Sequence, residues 1–409
     1  MMRSMFSAVT GLRNHQTMMD VIGNNIANVN TVGFKKSRVT FQDALYQTIK
    51  GASSAQGNRG GTNPMQVGLG MTVASIDTLH TPSSLEATGN MTDLAIEGDG
   101  FFILSDGLNY YYTRAGNFGF DEEGNFVNTS NGLKVMGWQG TSEKTPQNIT
   151  SIRIQKGMMM PAKATGEVRF AKNLNDADSM GAQYNIPFRV YDSKGNAHNL
   201  IITFTKADLN RWDYVINYDS SDTTVSNITN NQGSLVFDQV GSLDTDQSTI
   251  NQVELAINGA EPISLSLDFS AVTQYAKETT VDLSYQDGYA AGTLLGISVD
   301  SKGIITGVFD NGQNMELAQV VLAVFDNPAG LIKAGGNAYM ASNNSGEVQI
   351  GMAGTGGRGT ISPGSLEMSN VDLAEEFTRM IVTQRGFQAN SRIISASDEM
   401  LQELVNIKR

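Results

Sequence analysis

Met5-Phe-Ser-Ala-Val-Thr-Gly-Leu-Arg-Asn-His-Gln-Thr-Met-Met-Asp-Val-Ile-Gly-Asn-Asn-Ile-Ala-Asn28 opens the chain on a helical period. Met5, Ala8, Leu12, His15, Met19, Ile22, Ile26 and Val29 are separated by alternating steps of three and four residues, the a/d seam of a coiled coil. Ser7, Arg13, Asn14, Thr17 and Asp20 fall off that seam, so the predicted helix has one apolar stripe and a polar remainder. Gly23 weakens the last turn by about 1 kcal/mol relative to alanine, and Asn28, Asn30 and Gly33 end the helix.

The other end of the chain repeats the pattern. Leu366, Leu373, Met380, Phe387, Ile394 and Leu401 recur every seven residues, with Phe377 and Val405 on a second row that turns polar at Gln384, Ser391 and Asp398. The helix is expected to start after Ser369-Asn370, with Asn370 as its cap. Asp372, Glu375 and Glu376 then suit the positive end of its dipole and Lys408-Arg409 the negative end. Two such helices can close on each other as a hairpin in a monomer, or pack against copies of themselves. Periodicity alone weighs the two equally.

Between the ends the period falls to two. Trp212, Tyr214, Ile216 and Tyr218 alternate with other residues, as do Leu200-Ile202-Phe204, Val253-Leu255-Ile257 and Ile263-Leu265-Leu267, which is the pattern of half-buried strands. Asp121-Glu-Glu-Gly124, Asp192-Ser-Lys-Gly195 and Asp300-Ser-Lys-Gly303 share one form, Asp at the start of a turn and Gly at its left-handed position, and each reads as a hairpin. A calcium loop is the alternative, but its D-x-D-x-D-G spacing is missing.

Composition breaks set the expected domains: residues 1–30 plus 366–409 as terminal helices, 31–72 as a linker or loop whose part 51–72 is Gly/Ser/Asn-rich and flexible, 73–145 plus 289–365 as an inner β domain, and 146–288 inserted in it as an outer β domain. The fold class is mixed and mainly β, with nested discontinuous β domains and a coiled-coil pair of terminal helices.

The 409 residues carry a net charge of −13, unevenly placed: residues 1–50 are net +4, which leaves −17 on the rest. An acidic body argues against nucleic acid as a partner. Lys35, Lys36 and Arg38 form the one small basic cluster, read as a solvated loop rather than an anion site. Cysteine is absent, which removes disulfides, thiolate metal sites and cysteine nucleophiles. His15, His80 and His198 are far apart in sequence, so no metal or cofactor is expected, and His15 is read as a packed or surface side chain of the seam. Gly354-Thr-Gly-Gly-Arg-Gly359 fits G-x-G-x-x-G in letters, but Pro363 follows and no βαβ unit has room, so it is read as a loop. No catalytic constellation is found, and an enzyme is not expected. The N-terminus lacks the apolar core of a cleaved signal, and no run approaches the roughly 18 apolar residues of a membrane span. Any export is expected to use a route that reads no cleaved signal, without membrane insertion.

Ser7-Ala-Val-Thr-Gly-Leu12, Ile22-Gly-Asn-Asn-Ile-Ala-Asn28 and Asn30-Thr-Val-Gly-Phe-Lys35 together resemble the N-terminal signature of bacterial flagellar rod and hook proteins. Thr88-Gly-Asn90, Asp93-Leu-Ala-Ile-Glu-Gly-Asp-Gly-Phe-Phe102 and Tyr112-Thr-Arg-Ala-Gly-Asn-Phe118 join the match. So do Ser369-Asn-Val-Asp-Leu-Ala-Glu-Glu-Phe377 and Ile381-Val-Thr-Gln-Arg-Gly-Phe-Gln-Ala-Asn390 near the C-terminus. Within that family, Pro187-Phe-Arg-Val-Tyr-Asp-Ser-Lys-Gly195, Leu200-Ile-Ile-Thr-Phe204 and Trp212 are similar to the outer domain of the hook branch, which the shorter rod proteins lack. Filament flagellin shares only the terminal-helix plan.

The resemblance implies a subunit of a curved hollow tube, a universal joint carrying torque from rod to filament, exported by the flagellar type III apparatus to the outside of the cell. It implies as partners the chain itself, the distal rod protein, the hook cap protein and the hook-filament junction protein. It casts Met5, Ala8, Leu12, Met19, Ile22, Ile26, Val29, Leu373, Phe377, Met380, Phe387, Ile394, Leu401 and Val405 as self-assembly residues, and Asn28, Asn30, Thr31, Gly33, Phe34 and Lys35 as a motif loop. Two readings compete with it: a distal rod protein of the same family, and a glycan-binding β protein built on Trp212 and the tyrosines at 110–112.

Overall fold

The computed structural model describes residues 2–55, 57, 59–140, 143–219 and 223–407. The chain folds as a mainly β protein with a helix at each end, α1 at Met2–Ala27 and α2 at Leu373–Ile407. It divides into two compact units: Met1–Gln155 with Ser298–Thr306 and Glu316–Arg409, and Lys156–Ile297 with Gly307–Met315. The second unit opens at Lys156 rather than 146 and closes its main span at Ile297 rather than 288, within strand Gly292–Val299. Thr141 and Ser142, at the end of the expected 73–145 segment, lie outside the described residues, as do Lys408 and Arg409.

The second unit holds two five-stranded sheets. One orders its strands as Val225–Thr229, Val253–Ile257, Ile263–Tyr275, Glu167–Asn175 and Asp282–Gln286; the other runs Gln183–Tyr191, Ala197–Asp208, Arg211–Tyr218, Gln232–Phe237 and Leu243–Thr249. Glu167–Asn175 and Ile263–Tyr275 pair in parallel. Such a pairing needs a long crossover, and the whole second sheet supplies it. Alternation does what the period of two predicts: along Ala197–Asp208 the inward residues Leu200, Ile202 and Phe204 are buried. Phe170 stacks on Phe269 at 5.3 Å, with Phe204 and Tyr214 packed edgewise or tilted against Phe269. Trp212 belongs to this core and is fully buried. A glycan cannot stack on it, which removes Trp212 from the glycan-binding reading.

In the first unit, strands Phe101–Ser105, Tyr110–Thr113 and Lys134–Gln139 join one sheet with the 316–324 part of Asn314–Val324. Phe101, Tyr112, Trp138, Phe325 and Tyr339 fill its core. The segment expected to be a linker is instead paired. Ser37–Asp43 lies antiparallel to Met71–Thr78, and Tyr46–Lys50 to Met65–Gly68. The described residues between 51 and 64 keep the irregular character that their composition suggests, though Ser53 and Thr62 bridge. Leu366 departs from the helical reading too: it sits in strand Ser365–Glu367, paired to Leu85–Ala87, before α2 begins.

The three Asp-x-x-Gly turns share one geometry. Gly124, Gly195 and Gly303 all have φ between 76° and 88°, a region that favours glycine. Each glycine N–H donates to the carbonyl of its aspartate at 3.0–3.1 Å. Each aspartate Oδ1 then accepts the N–H of the residue after the glycine, Asn125, Asn196 or Ile304, at 2.7–2.8 Å. These carboxylates are occupied in holding turns.

Lys163 and Tyr289 pair directly in the second unit, each N–H donating to the other's carbonyl at 3.1 Å. Residues 164–288 can thus be replaced by an Asn-Gly link, a two-residue connection suited to such a pair. The shortened protein is expected to keep a cooperative thermal transition for the first unit. Loss of that transition in calorimetry would contradict the independence of the two units.

Candidate assembly interface

The terminal helices pack antiparallel. Asn25 Nδ2 donates to Glu376 Oε2 at 3.2 Å; further along, a Cβ on Gly386 would lie 2.8 Å from His15 Nε2, and one on Gly11 would lie 2.6 Å from Asn390 Nδ2. The absence of a side chain at these two glycines leaves room for the Asn390 and His15 side chains across the pair. The residues buried along the pair are small or polar for the most part: Ala8, Gly11, Ile22 and Asn25 on α1, and Glu376, Thr383 and Ser397 on α2. Thr383 and Ser397 satisfy their hydroxyls on carbonyls one turn back, at Arg379 and Ile393.

Apart from Ile22, the large apolar residues of the expected seam are half-buried or exposed. On α1, Met5, Leu12, Met19 and Ile26 are half-buried, and Val29 follows the helix in a turn. On α2, Met380, Ile394 and Leu401 are half-buried, while Leu373, Phe377, Phe387 and Val405 are exposed, Phe377 by 49% and Val405 by 66%. Ile381, Val382, Ile393, Met400 and Leu404 are exposed as well. His15 packs edgewise on Phe41.

Where the helices join the body, a charged cluster is buried. Lys35 Nζ contacts Glu367 Oε1 at 2.6 Å and donates to the Thr81 carbonyl at 2.7 Å; both side chains are fully shielded. Arg114 Nη1 reaches Glu367 Oε2 at 3.4 Å, and its Nη2 donates to the Gly98 carbonyl at 2.8 Å. Burial pulls the Lys35 ammonium and the Arg114 guanidinium below their usual ranges, against the pull of Glu367. The basic cluster at 35–38 is thus no solvated loop: Lys35 is interior, and Lys36 donates to Glu375 Oε2 at 2.7 Å. Sequence reading missed Glu367 and Arg114, although Arg114 stood charged among apolar and small residues in the motif at 112–118.

The motif loop is fixed residue by residue. Gly33 has φ +68°, and a Cβ there would lie 2.5 Å from the Ala115 nitrogen; its N–H donates to the Glu367 carbonyl at 2.8 Å. Asn28 Oδ1 accepts from Thr31 Oγ1, Phe34 lies under the Lys333 ammonium at 5.3 Å, and Asn30 is exposed. Asn370 does not cap α2. Asp372 does, its Oδ1 accepting the N–H groups of Ala374 and Glu375 at 2.8 and 3.2 Å. Asn370 instead accepts the Lys36 N–H at 2.7 Å and donates to Leu79 and Thr81, tying three segments together.

Among the described residues no group of three or more His, Asp or Glu side chains is placed to hold a metal ion, and no helix is long and apolar enough to cross a membrane. Four family models match the chain: "Flagella basal body rod protein" at 5–35, "Flagellar hook protein FlgE/F/G D1 domain" at 95–159, "Flagellar basal body protein FlaE D2 domain" at 160–289, and "Flagellar basal body rod FlgEFG protein C-terminal" at 362–407. The flagellar hook protein FlgE of Borreliella burgdorferi is 42% identical over 446 residues, covering 100% of both chains. The chain belongs to the flagellar hook protein family. A Bacillus subtilis relative described as flagellar basal-body rod protein FlgG is 33% identical and also covers 100% of both chains, so length does not separate hook from rod among the relatives. The crystal structure of Helicobacter pylori flagellar hook protein FlgE2 shares the fold, with a TM-score of 0.53 at 14% identity over 70% of this chain and 100% of that one.

In this hook-family chain the buried pair Lys35–Glu367 joins the end of one terminal match to the start of the other. His80 lies beside it, and burial, with Lys35 and Arg114 nearby, holds its imidazole at a pKa of about 4. In the unfolded chain the same group binds a proton near pH 6.5. The unfolded state therefore binds more protons between those values, so stability is full above pH 6.5 and falls as pH drops toward 4. The expected loss is on the order of 2–3 kcal/mol. Urea midpoints across that window should fall steeply in the native chain and less in His80→Asn; equal slopes would contradict the assignment.

Proposed function

We propose that the chain is a structural, non-catalytic subunit of the flagellar hook. It polymerises into a curved hollow tube that serves as a universal joint between rod and filament. The observation that supports this best is the placement of apolar side chains on α2. Its contact with α1 is made of small and polar groups, whereas Leu373, Phe377 and Ile381 on one flank and Val382, Ile393 and Met400 on another stand exposed. With 3.6 residues per turn these two sets point well apart around the helix. Apolar residues on several sides mark a helix that is surrounded in its working state, and a tube gives each helix neighbours on several sides.

On this reading α1, α2 and their seam residues form the inner core, the 73–145 plus 289–365 region the wall, and the inserted 146–288 region the outer domain. The chain would be exported to the outer part of the flagellum by the type III apparatus without a cleaved signal. It would meet the distal rod protein below, the hook cap protein during growth, and the hook-filament junction protein above. The distal rod protein is the second reading, favoured by the full-length similarity to the Bacillus subtilis relative.

Electron microscopy of concentrated protein tests the proposal. Curved tubes are expected; straight rigid ones would favour the rod. Phe377→Asp and Ile393→Asp are each expected to abolish tubes while changing the thermal transition of the free chain only slightly, since 49% of Phe377 and 43% of Ile393 is already exposed. Tubes formed normally by both variants would overturn the assigned contact.

A further inference from the structure

Arg13 and Asp20 stand exposed on α1, and Arg392 and Glu399 stand exposed on α2. No ion pair is made by any of these four among the described residues. In each helix the two charges are seven residues apart, which puts them on one face about 10.5 Å apart along the axis. Both helices read basic then acidic from N to C. Two such helices laid antiparallel present opposite signs at one axial offset, where Arg392 meets Asp20 and Glu399 meets Arg13.

The pairing within one chain does not use that offset. It sets Asn25 beside Glu376, His15 beside Gly386 and Gly11 beside Asn390, so that facing positions sum to 401. Asp20 is then level with position 381 and Arg13 with 388, eleven residues, or about 16 Å, short of the matching charges. The four side chains also point away from the internal contact. Only another molecule can bring them together.

We infer that α2 of one copy lies antiparallel against the outer face of α1 of a second copy, in the register that pairs Arg392 with Asp20 and Glu399 with Arg13. The inference rests on the polymer reading above and specifies its register. Exposed ion pairs add little strength individually, but complementary charges select register and partner. A contact between two different surfaces is heterologous and extends into a ring or an open helical polymer instead of closing as a dimer.

The chain contains no cysteine, so introduced thiols report cleanly. Asp20→Cys and Arg392→Cys chains, assembled together and mildly oxidised, are expected to give a disulfide-linked dimer that neither variant gives alone. Asp20→Arg and Arg392→Asp are each expected to raise the critical concentration for tubes several-fold, and the combined variant to restore it to within about twofold. Tubes without the mixed dimer, single variants that assemble like the native chain, or a combined variant no better than either single overturn the register while leaving the polymer reading intact. Failure of the native chain to form tubes overturns both.

Discussion

A fully buried carboxylate, Glu367, holds the ends of the chain to the body. It accepts Lys35 from the loop after α1 and Arg114 from the bend after strand Tyr110–Thr113, and the Ser83 N–H donates to it at 3.1 Å. Taking such charges out of water is costly unless each is paired, so the three positions depend on one another. Because Lys35 follows α1 and Glu367 precedes α2, the pair fixes where both helices leave the body. The Asn25–Glu376 contact and the Asn370 bonds continue that fastening one turn further out.

Beyond this root the helices hold each other weakly. Glycine at Gly11 and Gly386 permits a close approach, and Ala8 and Ile22 are fully buried on α1, but the other large apolar residues of the two helices are half-buried or exposed. Most of the adhesive side chains of α2 remain exposed on its flanks. A hairpin built this way is firmly anchored and poorly covered, which is a suitable state for a piece whose cover arrives with other copies. The contrast with the inserted unit is sharp, since there Phe170, Phe204, Trp212, Tyr214 and Phe269 are fully interior.

Local signals were the legible ones. The seven-residue recurrence locates both helices, the period of two locates the strands of the inserted unit, and Asp-x-x-Gly identifies three turns, because in each case the cause lies within a few residues. What faces what was less legible. Counting apolar residues at seam spacing assumes that all of them meet the partner helix, yet here Ala8 and Ile22 share the buried contact with Gly11, Asn25, Thr383 and Ser397, and the remaining seam residues are half-buried or exposed. Lys35 looked solvated because its partner lies 332 positions away. The ribbons at 37–50 and 65–78 were hidden by the glycines and serines between them, and by Leu45, Tyr46, Ile49 and Met65, which stay exposed and give no burial pattern.

If the terminal helices are completed by other copies, their backbone should open freely in the isolated chain and close on assembly. Hydrogen exchange, followed by mass spectrometry on dilute protein and on tubes, measures this residue range by residue range. The account predicts weak protection across 5–26 and 373–401 in the dilute chain, strong protection of the same segments in tubes, and little change within the inserted unit's core. Strong protection of both helices at dilution would show that the hairpin is already complete, and would contradict it.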